Sequence, residues 1–373
     1  MTAPHSNTEF GFSMMELLTA MVVGLIVLAA ATQLFKAGTD TATVVTQRAE
    51  MQENARAALD LIAKDISMAG AGLPPGGLAL PNGAGSSIPL FAVDQTGKAW
   101  LQNNGYLNGT YGNPASLSNT VSNYMFAIIP GSQNGMEQGG PGTIAATGRR
   151  ADAITVAYVD FKFPLNQYTV TFPNNTGTSV NVTPPGPPPF PQILDPAGIK
   201  IGDLILLNGS NSAYAVGEVT GITNAGGTIN FLDNDALKIN QSGAAKNNIK
   251  TLVTSQVTAW RLWVVTYFVE VPSDGLPRLM RQVNGQTPIP VADDIIGLQF
   301  TYDLCDPSVT VSPCANVANP LAANPAFSPN QIRKVNISVM SQSLTNNAGN
   351  KSKSMALVTS VSTRNLTFRD RYN

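Results

Sequence analysis

Few side chains in this sequence are placed to make or break bonds. The chain has a single histidine, His5, and two cysteines, Cys305 and Cys314. Asp293 and Asp294 are the types that paired acid–base catalysis uses, but successive residues of a strand project to opposite faces, so these two cannot flank one bond. Asp233, Asn234 and Asp235 offer oxygen ligands for calcium, although the segment lacks the glycine and distal glutamate of an EF-hand loop. The same pattern makes an ordinary polar turn. Trp260 and Trp263 could form a sugar-stacking platform, but they sit in a segment apolar at successive positions, which predicts core residues of a central strand. Glu16 is different. It stands alone, four residues after the aromatic Phe12 and directly ahead of a run from Leu17 to Phe35 that carries no charge.

The elements that must position Glu16 follow from that run. Roughly twenty uncharged, mostly apolar residues suffice for one helix to cross a hydrocarbon core of about 30 Å. A secretory signal would open with a basic region and close at a small-residue cleavage site, whereas this run passes without interruption into a polar helical pattern. The apolar segment is therefore expected to be retained as one membrane span. A carboxylate at the end of such a span costs about 2.5–3.5 kcal/mol on insertion scales and calls for a partner, unless it snorkels to water at the interface.

The stretch GFSMMELLTAMVVGLIVLAAATQLFK at 11–36 resembles the amino terminus of the type IV pilin superfamily: a short hydrophilic leader ending in Gly, an aromatic first mature residue, and Glu at the fifth. Gly11, Phe12 and Glu16 match that scheme. The resemblance implies cleavage after Gly11 by a prepilin peptidase, loss of residues 1–11, N-methylation of Phe12, and pairing of Glu16 with the terminal amine of a neighbouring subunit. Loss of the leader would remove His5, and with it histidine-based catalysis and the commonest zinc ligand. The segments QENARAALDLIAKDISMAGAG at 52–72, DDIIGLQFTYDL at 293–304, IRKVNISVMSQS at 332–343 and VTSVSTRNL at 358–366 are similar to the PilW family of minor pilins. Membership in that family implies no enzymatic activity and no cofactor or metal. The implied partners are the major pilin, other minor pilins, the inner-membrane assembly platform and a larger tip adhesin. It also implies an inner-membrane, N-in/C-out precursor that later joins a pilus serving motility or adhesion. Two alternatives stand beside it: a J-type minor pseudopilin of type II secretion, which shares the amino-terminal scheme, and a tip subunit that itself grips a surface or DNA.

Composition narrows the partners. Charged residues make up 12% of the chain and the net charge is −1, which argues against broad attraction to nucleic acid or an anionic membrane surface. Arg364, Arg369 and Arg371 near the carboxyl terminus could touch DNA, but no basic stripe interleaved with aromatics accompanies them. Cys305 and Cys314 flank the turn-rich DPSVTVSP. On the outer side of a bacterial inner membrane the pair reads as one structural disulfide, and the spacing is not the CxxC of a redox site.

The expected fold class is α+β: a long helix, its first half transmembrane and its second amphipathic, on an antiparallel, sheet-rich globular head. The helix should run from about Phe12 to Ala69, roughly 85 Å, with 12–35 in the membrane or filament core and 36–72 as its amphipathic continuation. Val45, Ala49, Gln52, Ala55, Leu59, Ile62, Ile66 and Ala69 form the inner stripe, and Arg48, Glu50, Glu53, Arg56, Asp60, Lys64 and Asp65 the polar face. Gly70, Gly72, Pro74 and Pro75 stop it. The head, 73–373, opens with a wandering connection. It then gives strand-like runs at 151–161, 168–172, 203–209, 214–222, 228–232, 261–271, 277–283, 297–304, 333–343 and 356–368. Between two of them TPPGPPPFP at 183–191 predicts polyproline II in a stiff insertion.

Overall fold

A computed structural model describes residues 13–74, 77–81, 124–131, 151–210, 212–233, 235, 237, 239–244, 246–270, 275–284, 286–305, 315–318, 329–343 and 354–367. One long helix, α1 (Met14–Met68), precedes a large antiparallel β region. The chain divides into two compact units, Met1–Met51 with Ser343–Lys353, and Gln52–Gln342 with Ser354–Asn373.

The end of α1 is set by backbone geometry. Gly70 and Gly72 both adopt positive φ, 77° and 76°, a region that side chains disfavour, and a Cβ on Gly72 would lie 2.7 Å from Val159. The chain then leaves the helix as an extra rung on the sheet: Gly70 N–H donates to Ala157 O (2.9 Å) and Val159 N–H to Ala71 O (2.8 Å).

Among the described residues every strand pairing is antiparallel. Strands β1 (Leu78–Ala79) and β2 (Tyr124–Met125) form a small ribbon. The largest sheet is organised about β11 (Val257–Glu270), fourteen residues long. One side of β11 takes β7 (Leu204–Gly209) and then β12 (Arg278–Val283). The other takes β5 (Thr169–Thr171) and β4 (Ala153–Asp160). Beyond them lie β3 (Ile128–Gly131), β6 (Ser179–Thr183), β8 (Tyr214–Glu218), β9 (Gly221–Thr223), β10 (Thr228–Asn230) and β13 (Ile289–Asp293). A second sheet has the order β15 (Ala315–Val317), β14 (Ile295–Leu304), β16 (Ile332–Gln342), β17 (Ser354–Ser362). A short helix, α2 (Arg364–Thr367), follows. Asp152 joins the two sheets, donating its N–H to Leu298 O (2.7 Å) and accepting from Phe300 N–H (2.8 Å).

One core spans both sheets. Ala55, Ala58, Leu59, Ile62, Ile66 and Ala69 of α1 pack with Ile154, Val265, Tyr267, Leu298, Phe300, Val335, Ile337 and Val339. The helical stripe therefore closes over the sheets from Ala55 onward. Val45, expected on the same stripe, is 62% exposed, and Asp65, expected on the polar face, is 4% exposed.

Three other expectations are revised. The segment after β6 is a folded loop rather than polyproline II: Phe190 N–H closes a turn on Pro187 O (3.2 Å) and its ring packs 5.6 Å from that of Tyr168. The strand run ending at 368 stops at Ser362 and turns into α2. Trp260 and Trp263 are half-buried rather than core. Trp260 meets Phe161 edge-on at 5.7 Å, and Trp263 lies near the guanidinium groups of Arg261 (5.7 Å) and Arg281 (5.9 Å).

Candidate functional site

Glu16 lies in the first turn of α1. Ser13 sits just outside the helix and accepts the Glu16 N–H on both its Oγ (3.2 Å) and its carbonyl oxygen (3.0 Å). Ser-x-x-Glu is capping-box spacing, in which Ser satisfies an orphan N–H and the glutamate favours the positive end of the helix dipole by about 0.3–1 kcal/mol. The sequence carried this signal, and the reading of Glu16 as an intersubunit charge alone missed it. Gly11 and Phe12, the processing residues, lie outside the described residues.

From Ser13 to Thr43 every residue is exposed, including Leu17, Leu18, Met21, Leu25, Ile26, Leu28, Leu34 and Phe35. The helix is long and apolar enough to cross a membrane. Its threonines suit that solvent. Thr19 donates to Met15 O and Glu16 O (both 3.0 Å), and Thr32 to Ala29 O (2.9 Å), so neither hydroxyl needs water. Ala31, Leu34, Phe35, Gly38, Thr39 and Ala42 line a shallow groove on this helix, where small residues allow close approach of another helix.

Further along, a buried polar cluster fastens α1 to the large sheet. Asp65 Oδ1 accepts from Tyr158 Oη (2.8 Å), and Oδ2 from Tyr267 Oη (2.6 Å) and Arg281 Nε (3.0 Å). Arg281 Nε also donates to Tyr267 Oη at 3.0 Å, and Trp263 packs on Tyr158 at 6.0 Å. Burial pushes both tyrosine hydroxyls well above the usual phenol range, and the Asp65 charge adds to it. For Arg281, burial acts downward, but Asp65 and Tyr267 outweigh it and its proton is held more tightly than usual. Asp65 falls three residues after Ile62, on the apolar side of the helix, which was the available sign that it turns inward.

The other candidate groups lie apart from one another among the described residues. Asp293 pairs with Arg278 at 3.1 Å, while Asp294 occupies a turn at φ 61°. Asp233 accepts from Ser242 N–H (2.8 Å) and Oγ (2.7 Å). Asp235 accepts from the N–H groups of Ile239 (2.7 Å) and Asn240 (3.0 Å), and burial pushes its carboxyl up. Asn234 lies outside the described residues. Among the described residues no group of three or more His, Cys, Asp or Glu is placed to hold a metal. Cys305 is disulfide-bonded, and Cys314 lies outside the described residues. Arg364 opens α2, and Arg369 and Arg371 lie outside the described residues.

An open groove of about 640 Å³ in the sheet-rich unit is bordered by Phe163, Pro189, Pro191, Lys200, Asp203 and Trp263. Arg261 lies at its base, tied to Asp160 and donating to Ala197 O (2.9 Å) and Gly198 O (2.8 Å). That arginine is structural: its hydrogen bonds brace the loop that walls the groove.

No family model matches the chain, no curated protein is significantly similar to it, and no solved structure significantly matches its fold.

Proposed function

We propose that the chain is a minor pilin of the PilW type, acting in initiation of type IV pilus assembly and residing near the tip. The observation that carries this reading is the division of labour along α1. Its run from Leu17 to Phe35 is exposed and uncharged, with threonine hydroxyls bonded to the helix's own carbonyls, whereas residues from Ala55 onward are locked into a β-rich body by an apolar stripe and Asp65. A helix apolar on all sides is a membrane span or the core of a bundle, and a pilin uses it successively as both.

In this mechanism a prepilin peptidase cuts after Gly11 and methylates Phe12. The span anchors the precursor in the inner membrane with the β-rich part outside. Assembly then moves the span from lipid into a bundle of other subunits' helices, where packing contacts replace lipid contacts. Glu16 is neutralised by the amine of an adjoining subunit, which sets the register and relieves the cost of a carboxylate in an apolar core. The large body is accommodated best where one copy caps the fibre and presents a larger adhesin.

The test is genetic and biochemical. Deleting the protein in its host should abolish or sharply reduce surface fibres, and the protein should travel with fibres sheared from wild-type cells. Recovery with a secretion pseudopilus instead would replace this reading with the J-type pseudopilin.

A further inference from the structure

We propose that β17 is a docking edge that receives an extended, uncharged strand from a partner protein. The nine residues Ser354–Ser362 pair with β16 along their whole length without a register shift, and among the described residues nothing pairs on the other side. Native proteins blunt exposed strand edges with charge, proline, bulges or shortness. The other edge strands use these devices or are covered: β13 contains Pro290 and Asp293 and pairs through a bulge, β3 is four residues with Pro130, the end of β8 is covered by the Asn240 side chain, which bonds the Glu218 N–H and carbonyl, and β9 and β15 are three residues each. β17, SMALVTSVS, has none of them.

The hydrogen-bonding register identifies the open groups. Thr363 N–H donates to Arg333 O at 2.9 Å, so odd-numbered residues of β17 point their backbone groups at β16. Antiparallel geometry then turns those of Ala356, Val358, Ser360 and Ser362 outward. The apolar layer is unfinished at the same edge. Val335, Ile337 and Val339 of β16 are fully buried, but their cross-strand neighbours Val361, Thr359 and Leu357 are only half-covered. A further strand would complete both the ladder and that layer. Strand addition of this kind takes affinity from the backbone and specificity from alternate side chains. The incoming segment should therefore be neutral, like the edge it meets, and apolar at alternate positions.

A second copy fits poorly. The edge strand is neutral and carries no charge to direct a copy of itself into register, and the oligomeric state in the experiment below separates a second copy from a partner's strand.

The full-length chain in detergent micelles is titrated with a fluorescent nine-residue peptide of alternating valine and threonine, followed by anisotropy. Saturable binding is expected. It should weaken at least tenfold for Val358→Pro, which removes an outward N–H that no described residue accepts and is tolerated at an edge. The same loss is expected for the unaltered chain with a peptide N-methylated at alternate residues, which holds whether or not the variant folds. Hydrogen exchange of the free chain should show fast amides at Ala356, Val358 and Ser360. Absent binding, or binding indifferent to both changes, overturns the proposal. So do slow exchange at those amides, meaning that the chain covers its own edge, and a doubled mass without peptide that Val358→Pro abolishes, meaning that a second copy does.

Discussion

Residues 14–43 and 52–68 share one helix but solve opposite problems. The first segment carries an uncharged run, Leu17 to Phe35, whose large apolar side chains are exposed, and threonines that fold back on their own carbonyls. The second has a stripe of small and branched residues pressed to two sheets, with its one inward acid saturated by two tyrosines and an arginine. A helix whose apolar surface finds no cover within its own chain must find it elsewhere. The contrast separates the residues that fold the body from those the rod leaves exposed, so the two sets can be broken separately.

The sharpest break is at Asp65. Asp65→Ala leaves a buried guanidinium and two buried hydroxyls without their acceptor and should cost about 3–5 kcal/mol, read as a shift in the urea midpoint by tryptophan fluorescence. Replacing the pair together, Asp65→Leu with Arg281→Met, should cost less than the single change, because no charge is left stranded. Next, Ile62→Ala should lose about 2–5 kcal/mol, while Val45→Ala, at an exposed position just past the first segment, should move the midpoint by less than about 0.5 kcal/mol. Equal losses at the two positions would erase the distinction between the segments.

How much of this could be read beforehand depends on range. The apolar run, the i, i+3, i+4 stripe from Ala55 to Ala69 and the Gly70–Gly72 stop are local signals, and α1 ends where they say. Strands such as Ala153–Asp160 and Ile332–Gln342 announced themselves by β-branched content. Short strands did not: Ser179–Thr183 adjoins a proline run and Ile289–Asp293 contains Pro290. The partners of Asp65 lie 93, 202 and 216 residues away in sequence, so the acid's inward role depends on which strands the fold brings beside it. Val45 shows the converse, since a correct helical phase does not say where the body ends. The Ser13 cap was legible from spacing alone but was overshadowed by the charge of Glu16.

Smaller effects sharpen the same comparison. Reducing the disulfide of Cys305 should cost about 2–3 kcal/mol in the body and leave the rod unaffected, as measured by denaturation with and without reductant. Tyr158 and Tyr267 give a pH signature. Their folded hydroxyls ionise above the ordinary value near 10, so the folded state favours the protonated form. Their contribution is therefore complete below about pH 10 and declines above it by about 1.4 kcal/mol per pH unit for each tyrosine. Tyr267→Phe should lower stability by about 1–2 kcal/mol near neutrality and flatten the alkaline decline. Glu16→Gln should change stability least of all. Gln preserves the capping box but not the charge, so the variant should fold and insert like the wild type yet fail to enter fibres. Normal incorporation would reduce Glu16 to a helix-start residue.

The most direct measurement of the central claim is the intact mass of the protein recovered from fibres sheared off its host. The account predicts a chain that begins at N-methylated Phe12, with Gly11 and everything before it gone. A chain in those fibres still beginning at Met1, or a protein found only outside them, would contradict it.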